Sequence, residues 1–108
     1  MSLTVQLTDD ALRDLDDIHA FVAAADGLAR ANQLVDGIGA ALARLSTLPE
    51  RGEYPKELES LGMRQFRQVH HKPYRMIYQV GHEAITVLLI ADGRRDMQAL
   101  LQRRLLNG

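Results

Sequence analysis

Leu3, Val5 and Leu7 alternate with Thr4 and Gln6, a period of two that predicts a short strand with one apolar face. Thr8-Asp9-Asp10 reads as a helix start: the threonine oxygen can accept from free amide N–H groups, and the two carboxylates suit the positive end of the helix dipole. Leu12, Leu15, Ile18, Phe21 and Val22 then recur at three- and four-residue steps, predicting a helix to about Ala24. Asp14, Asp16 and Asp17 fall mostly off that stripe and read as its solvated face. Asp26-Gly27 breaks the pattern, the glycine supplying a left-handed end and the aspartate a cap for the next start. Leu28, Ala31, Leu34, Val35, Ile38, Leu42 and Leu45 carry a second helix to roughly Thr47, with Pro49 just beyond it. A turn this short makes the two an antiparallel hairpin.

Residues 50–62 read as a loop with one helical turn near Leu58. Met63 to Val69 reads as a strand of poor phase, with Phe66 on one face and Met63 and Val69 on the other. His71-Lys72-Pro73 is a turn. Tyr74, Met76, Tyr78 and Val80 alternate with Arg75, Ile77 and Gln79, and Gly81-His82-Glu83 is a hairpin turn. Ala84-Ile85-Thr86-Val87-Leu88-Leu89-Ile90 is a continuous run of β-branched and apolar residues, the pattern of a central strand covered on both faces. Asp92-Gly93 ends it, and Met97, Leu100, Leu101, Arg104 and Leu105 suit a short C-terminal helix. The expected fold is α+β: an N-terminal strand, an antiparallel helical hairpin, a three-stranded antiparallel meander and a short C-terminal helix. The first strand joins the meander's edge, the hairpin covers one face, and Arg75 lies on the other.

The chain's 108 residues suit one domain spanning residues 1–108. A hydrophobic content of 46% with a net charge of −1 excludes bulk disorder. The longest uncharged apolar run, Ala84 to Ala91, falls far short of the ~18 residues a membrane span needs, so no membrane partner is expected. The first residues lack the basic and apolar regions of a secretory signal. Cysteine is absent, which excludes disulfides and thiol catalysis and fits a cytoplasmic location. Charge is uneven along the chain. Residues 1–50 hold 3 basic and 8 acidic side chains, and residues 51–108 hold 10 and 6, so the second half can meet phosphates or an acidic protein.

Candidate chemistry is sparse. His19, His70, His71 and His82 lack metal-ligand spacing, and His70 and His71 point to opposite sides of a strand. No glycine-rich phosphate loop or nucleophile elbow occurs. No metal or cofactor is therefore expected. Arginine remains. Arg67 and Arg75 precede the central strand and Arg94-Arg95 follows it, so strand pairing can gather guanidinium groups at one end of the sheet to bind a phosphate or a macromolecular target. The alternative for Arg75 or Arg95 is an internal pair with Asp92, Asp96 or Glu83.

Tyr74-Arg75-Met76-Ile77-Tyr78-Gln79-Val80, the apolar strand, Asp92-Gly93-Arg94-Arg95-Asp96 and the terminal Arg103-Arg104-Leu105-Leu106 resemble the RelE/ParE family of bacterial toxins. So do the first helix, Asp9-Asp10-Ala11-Leu12-Arg13-Asp14-Leu15, and the stop at Leu48-Pro49-Glu50-Arg51-Gly52. These are the toxins of type II toxin–antitoxin modules, plasmid stabilisation systems among them. The resemblance implies a growth-inhibiting protein held by a cognate antitoxin in a hetero-oligomer, with Leu100, Leu101, Leu105 and Leu106 as an antitoxin dock or, alternatively, ordinary core. RelE-like members cut mRNA on the ribosome, whereas ParE-like members resemble inhibitors of DNA gyrase. Arg75 matches the RelE Tyr-Arg-hydrophobic motif and Arg95 the second basic position. The tyrosine of the last helix is replaced by Leu101, and the histidine before Gly-x-Arg-Asp by Asp92 or by nothing. Arginine steadies phosphate charge but does not exchange a proton near neutrality. The expectation is therefore a ParE-like gyrase inhibitor with no catalytic residues. One alternative is a ribosome-dependent mRNA interferase, with His70 or His71 turned onto the face of Arg75. Another is an inactive module whose only partner is the antitoxin.

Overall fold

Thr8 opens the first helix as its position predicts: its side-chain oxygen accepts from the Ala11 amide at 3.1 Å. The computed structural model describes residues 2–106, the side chain of Leu106 excepted. In chain order the elements are β1 (Thr4–Leu7), α1 (Asp9–Asp26), α2 (Leu28–Ala43) with a 3₁₀ turn at Arg44–Ser46, α3 (Lys56–Glu59), β2 (Phe66–His71), β3 (Tyr74–Val80), β4 (Ala84–Asp92) and α4 (Met97–Leu101), which runs on as a wider π turn over Gln102–Leu106. The sheet order is β1-β4-β3-β2. β2, β3 and β4 form the antiparallel meander, and β1 adds to β4 in parallel. The α+β architecture is the one expected from the hydrophobic pattern.

Three local readings are corrected. Asp26 is the last residue of α1, not a cap for α2; the turn is made by Gly27 at φ 95°, a conformation that costs an L side chain dearly. β2 starts at Phe66, three positions later than Met63. Met63 precedes the strand and packs beside Phe66, which is why it spoils the alternation. The turn after β2 is Lys72-Pro73 alone, with His71 still paired to Tyr74.

Each face of the sheet has its own core. Ala11, Ile38, Leu42 and Leu45 of the hairpin side meet Tyr74, Met76, Tyr78, Ile85, Val87 and Ile90 on one face. Leu58 of α3 and Met97 and Leu101 of α4 meet Phe66, Ile77, Leu89 and Ala91 on the other. β4 is thus central and covered on both sides, as its continuous β-branched and apolar run predicts. It carries a bulge: Ile77 pairs with Leu89 but Tyr78 with Val87, leaving Leu88 as an extra residue.

β1 reaches only to Leu7, opposite Val87. Beyond it, two side chains stand in for the missing strand. The Asp14 carboxylate accepts from the Ile90 amide at 3.0 Å. Arg104 donates to the Leu88 carbonyl at 2.8 Å and closes on Asp14 at 2.9 and 3.0 Å. Asp14, read above as solvated, is therefore structural, and its bond raises the pKa of the Arg104 guanidinium.

Candidate functional site

β2 and β3 pair so that His70 lies opposite Arg75. Strand alternation puts Gln68, His70 and Arg75 together on the face away from the hairpin. The short α3 sits over this face. Leu58, 2% exposed, anchors it in the far core, and Glu57 consequently faces Arg75.

The two form a bidentate pair. Arg75 Nη1 donates to Glu57 Oε2 at 2.9 Å and Nη2 to Oε1 at 2.8 Å, with side chains only 10% and 13% exposed. Arg75 Nε donates to Gln68 Oε1 at 2.7 Å. Gln68 Nε2 in turn donates to Glu53 Oε1 at 3.0 Å, and that oxygen is 3.9 Å from His70 Nδ1. The Arg75 bond holds the Glu57 carboxyl below its ordinary range, against the opposing effect of burial. Gly93 leaves room for the arginine stem: a Cβ there would come within 2.8 Å of Arg75 Cδ. Beside this network lies a cleft of about 330 Å³ lined by Glu53, Tyr54, Lys56, Gln68, His70 and Arg75. On the cleft's rim, Tyr54 meets both Arg64 and Arg67, each guanidinium carbon 4.5 Å from the ring centroid.

The other expected arginines have separate surroundings. Arg67 holds the preceding loop, donating to the Gly52 carbonyl at 2.8 Å, the Glu50 carbonyl at 3.2 Å and the Tyr54 hydroxyl at 2.9 Å. Arg94 grips Asp92 through Nε at 3.0 Å and Nη2 at 2.6 Å, and the Asp92 carboxyl is driven down to about 2 by those bonds and by the Arg94 amide. Arg95 lines a second cleft, of about 350 Å³, with Asp14, Asp17 and Phe21 of α1. Strand pairing does bring Arg75 and the Arg94-Arg95 turn to one end of the sheet, but Arg75 faces α3 while Arg95 faces α1. The partner of Arg75 is Glu57, not Asp92, Asp96 or Glu83.

Leu101, 1% exposed, belongs to the far core. Leu100 and Leu105 are half-buried beside it, and the side chain of Leu106 lies outside the described residues. Among the described residues no three His, Asp or Glu side chains gather as a metal ion would need. Sequence reasoning missed Glu57, Gln68 and Asp14. For Glu57 the one available signal was the helical turn expected at Leu58, which makes its neighbour face the sheet.

A four-stranded sheet with a helical hairpin on one face and a short C-terminal helix on the other is the fold of small toxins from toxin–antitoxin modules. A chromosomal ParDE toxin–antitoxin system from P. aeruginosa matches with a TM-score of 0.71 at 19% identity, over 84% of this chain and 96% of that one. The toxin–antitoxin complex RelBE2 from Mycobacterium tuberculosis matches with a TM-score of 0.56 at 21% identity, over 85% and 92%. Toxin ParE3 of Caulobacter vibrioides is 30% identical over 91 residues, 84% of this chain and 87% of that protein. Residues 5–97 match the family model described as the ParE toxin of the type II toxin–antitoxin system parDE. The chain belongs to the ParE toxin family.

Proposed function

We propose that this toxin inhibits growth by binding DNA gyrase in the cytoplasm, without chemistry of its own, as part of a plasmid-stabilisation-type module in which a cognate antitoxin neutralises it. The supporting observation is the Arg75–Glu57 pair. The arginine that a nuclease would turn on the scissile phosphate is already bidentate to a carboxylate and almost out of solvent. Prising such a pair apart costs about 3–5 kcal/mol before any phosphate is gained. An inhibitor that works by surface complementarity has no need of that guanidinium. Docking of the antitoxin would use the exposed apolar positions of the hairpin, Phe21 at 73% and Leu28 at 62%, together with Leu100 and Leu105. The decisive measurement is gyrase supercoiling with purified toxin. Loss of supercoiling that the antitoxin restores is the expected result, and full activity at saturating toxin refutes the reading.

One observation favours the mRNA-interferase alternative: His70 shares the face of Arg75 and lines the same cleft as Lys56 and Tyr54. Imidazole exchanges protons near neutrality, as that chemistry requires. Primer extension on mRNA after induction tests it, with His70→Ala abolishing any cuts. Cuts that survive this substitution remove His70 from the mechanism.

A further inference from the structure

β2 is the outer strand of the sheet, and its margin, bridged by Glu53 at Gln68 alone among the described residues, separates two hollows. One is the cleft beside Arg75. The other, about 320 Å³, lies toward α2 and is lined by Arg44 at the helix end, Arg51, the Gly52 backbone, and Gln68 and Val69 of β2. Glu53, Gln68 and His70 border both. We propose that the Arg44–Arg51 hollow binds a phosphate oxyanion, supplied by the backbone of a polynucleotide.

Four observations converge on this. Most arginines near the sheet are already neutralised: Arg75 by Glu57, Arg94 by Asp92, Arg104 by Asp14 and Arg64 by Glu59. Arg44 and Arg51 are exposed and, among the described residues, neither forms an ion pair, so both forks are free for the two-point contact that phosphate offers. The strand margin adds a donor. Gln68 exchanges backbone bonds with Glu53 on the outer side of β2, at 3.2 and 2.8 Å. Alternation turns the His70 amide outward in the same direction, one step past that bridge.

Gly52 is fixed at the inner side of the hollow: its amide donates to the Tyr78 hydroxyl at 3.0 Å, and a Cβ there would lie 2.5 Å from that hydroxyl and from the Gln68 carbonyl oxygen. Arg67 donates to the Glu50 and Gly52 carbonyls, so a third guanidinium is fixed against that segment. Among the described residues Glu53 is the one carboxylate bordering either hollow, and it already accepts from Gln68. Lys56 lies across the shared ridge, with His70 between it and the arginines. Cations on both sides of one ridge suit a ligand of repeating charge better than a single anion.

This inference goes beyond the gyrase reading and is measured on the toxin alone. Fluorescence anisotropy with a labelled single-stranded DNA of about 12 nucleotides, over a series of chloride concentrations, gives affinity and salt slope. Arg44→Ala/Arg51→Ala is expected to weaken binding about tenfold and to lower the slope by about 1.4, two phosphate contacts' worth. Arg30→Ala/Arg103→Ala removes the same charge from exposed positions elsewhere and should change neither. Circular dichroism confirms that both variants fold. Equal weakening by the two variants, or no binding by the unaltered chain, overturns the proposal. Inorganic phosphate that displaces the DNA far below the chloride of equal ionic strength would identify free phosphate as the ligand of the same hollow. Displacement by ionic strength alone identifies the polymer. Because no gyrase is present, loss of oligonucleotide binding and loss of supercoiling inhibition fail independently.

Discussion

Removing the Glu57 carboxylate would leave the Arg75 guanidinium 10% exposed with only the Gln68 amide oxygen to accept from it. Uncompensated charge at that depth costs about 3–5 kcal/mol, so Glu57→Ala should lose roughly that much in urea denaturation. The pH dependence has a definite sign. Glu57 titrates below its ordinary value in the folded chain. Its stabilisation is therefore complete above the unfolded value and is lost as pH falls through the lower, folded one. The unaltered toxin should weaken in acid below that ordinary carboxylate range, and the Glu57→Ala curve should be flatter there. The face occupied by Arg75 was legible in the alternation of residues 74–80. Its partner was not. Asp92 looked available but is gripped by Arg94 two positions later, and Glu57 sits on the single turn of α3, too short for any periodicity to say which sheet residue it faces.

At the scale of elements, α1 and the C-terminal turn are tied through the margin of β4 rather than through apolar packing alone. Asp14→Ala would orphan the Ile90 amide and leave Arg104 with only the longer, 3.8 Å contact to Asp10. A loss of about 2–3 kcal/mol is expected, with hydrogen exchange at Ile90 accelerated more than at Ile85, whose flanking strand β1 is intact. The helices and their hairpin could be read directly, because a stripe at three- and four-residue steps has one interpretation. The bulge at Leu88 could not. Val87, Leu88, Leu89 and Ile90 are all apolar, so a one-residue change of phase leaves no polar residue on the wrong face to betray it. The tie itself was hidden for a different reason: Asp14 lies off the apolar stripe, where a carboxylate is ordinarily solvated.

For the whole molecule, the sheet divides the interior into two cores, and Leu101 belongs to the smaller. Leu101→Ala should cost about 2–5 kcal/mol, seen as a lower denaturation midpoint, while affinity for an antitoxin, measured on the folded fraction, stays unchanged. Leu100→Ala should show the opposite balance. The charge asymmetry between the halves of the sequence is partly cancelled in three dimensions, since Arg104 of the basic half reaches Asp14 and Asp10 of the acidic half. Composition cannot foresee this, because it depends on where the last turn lands. The need for cover on both faces of β4 was foreseeable from its run of apolar and β-branched residues; that α3 and α4 supply the second cover was not, because residues 50–62 read as a loop and that face as the one carrying Arg75.

The tyrosine clasped by two arginines has an optical consequence. The chain has three tyrosines and no tryptophan, so its ultraviolet emission comes from Tyr54, Tyr74 and Tyr78 alone. Tyr74 and Tyr78 are 8% and 0% exposed and out of reach of dissolved quenchers. Tyr54 is within reach, and the two guanidinium groups held at its ring attract iodide and repel caesium. Quenching should therefore be selective for the anion, and any polyanion settling in the neighbouring cleft should abolish that selectivity.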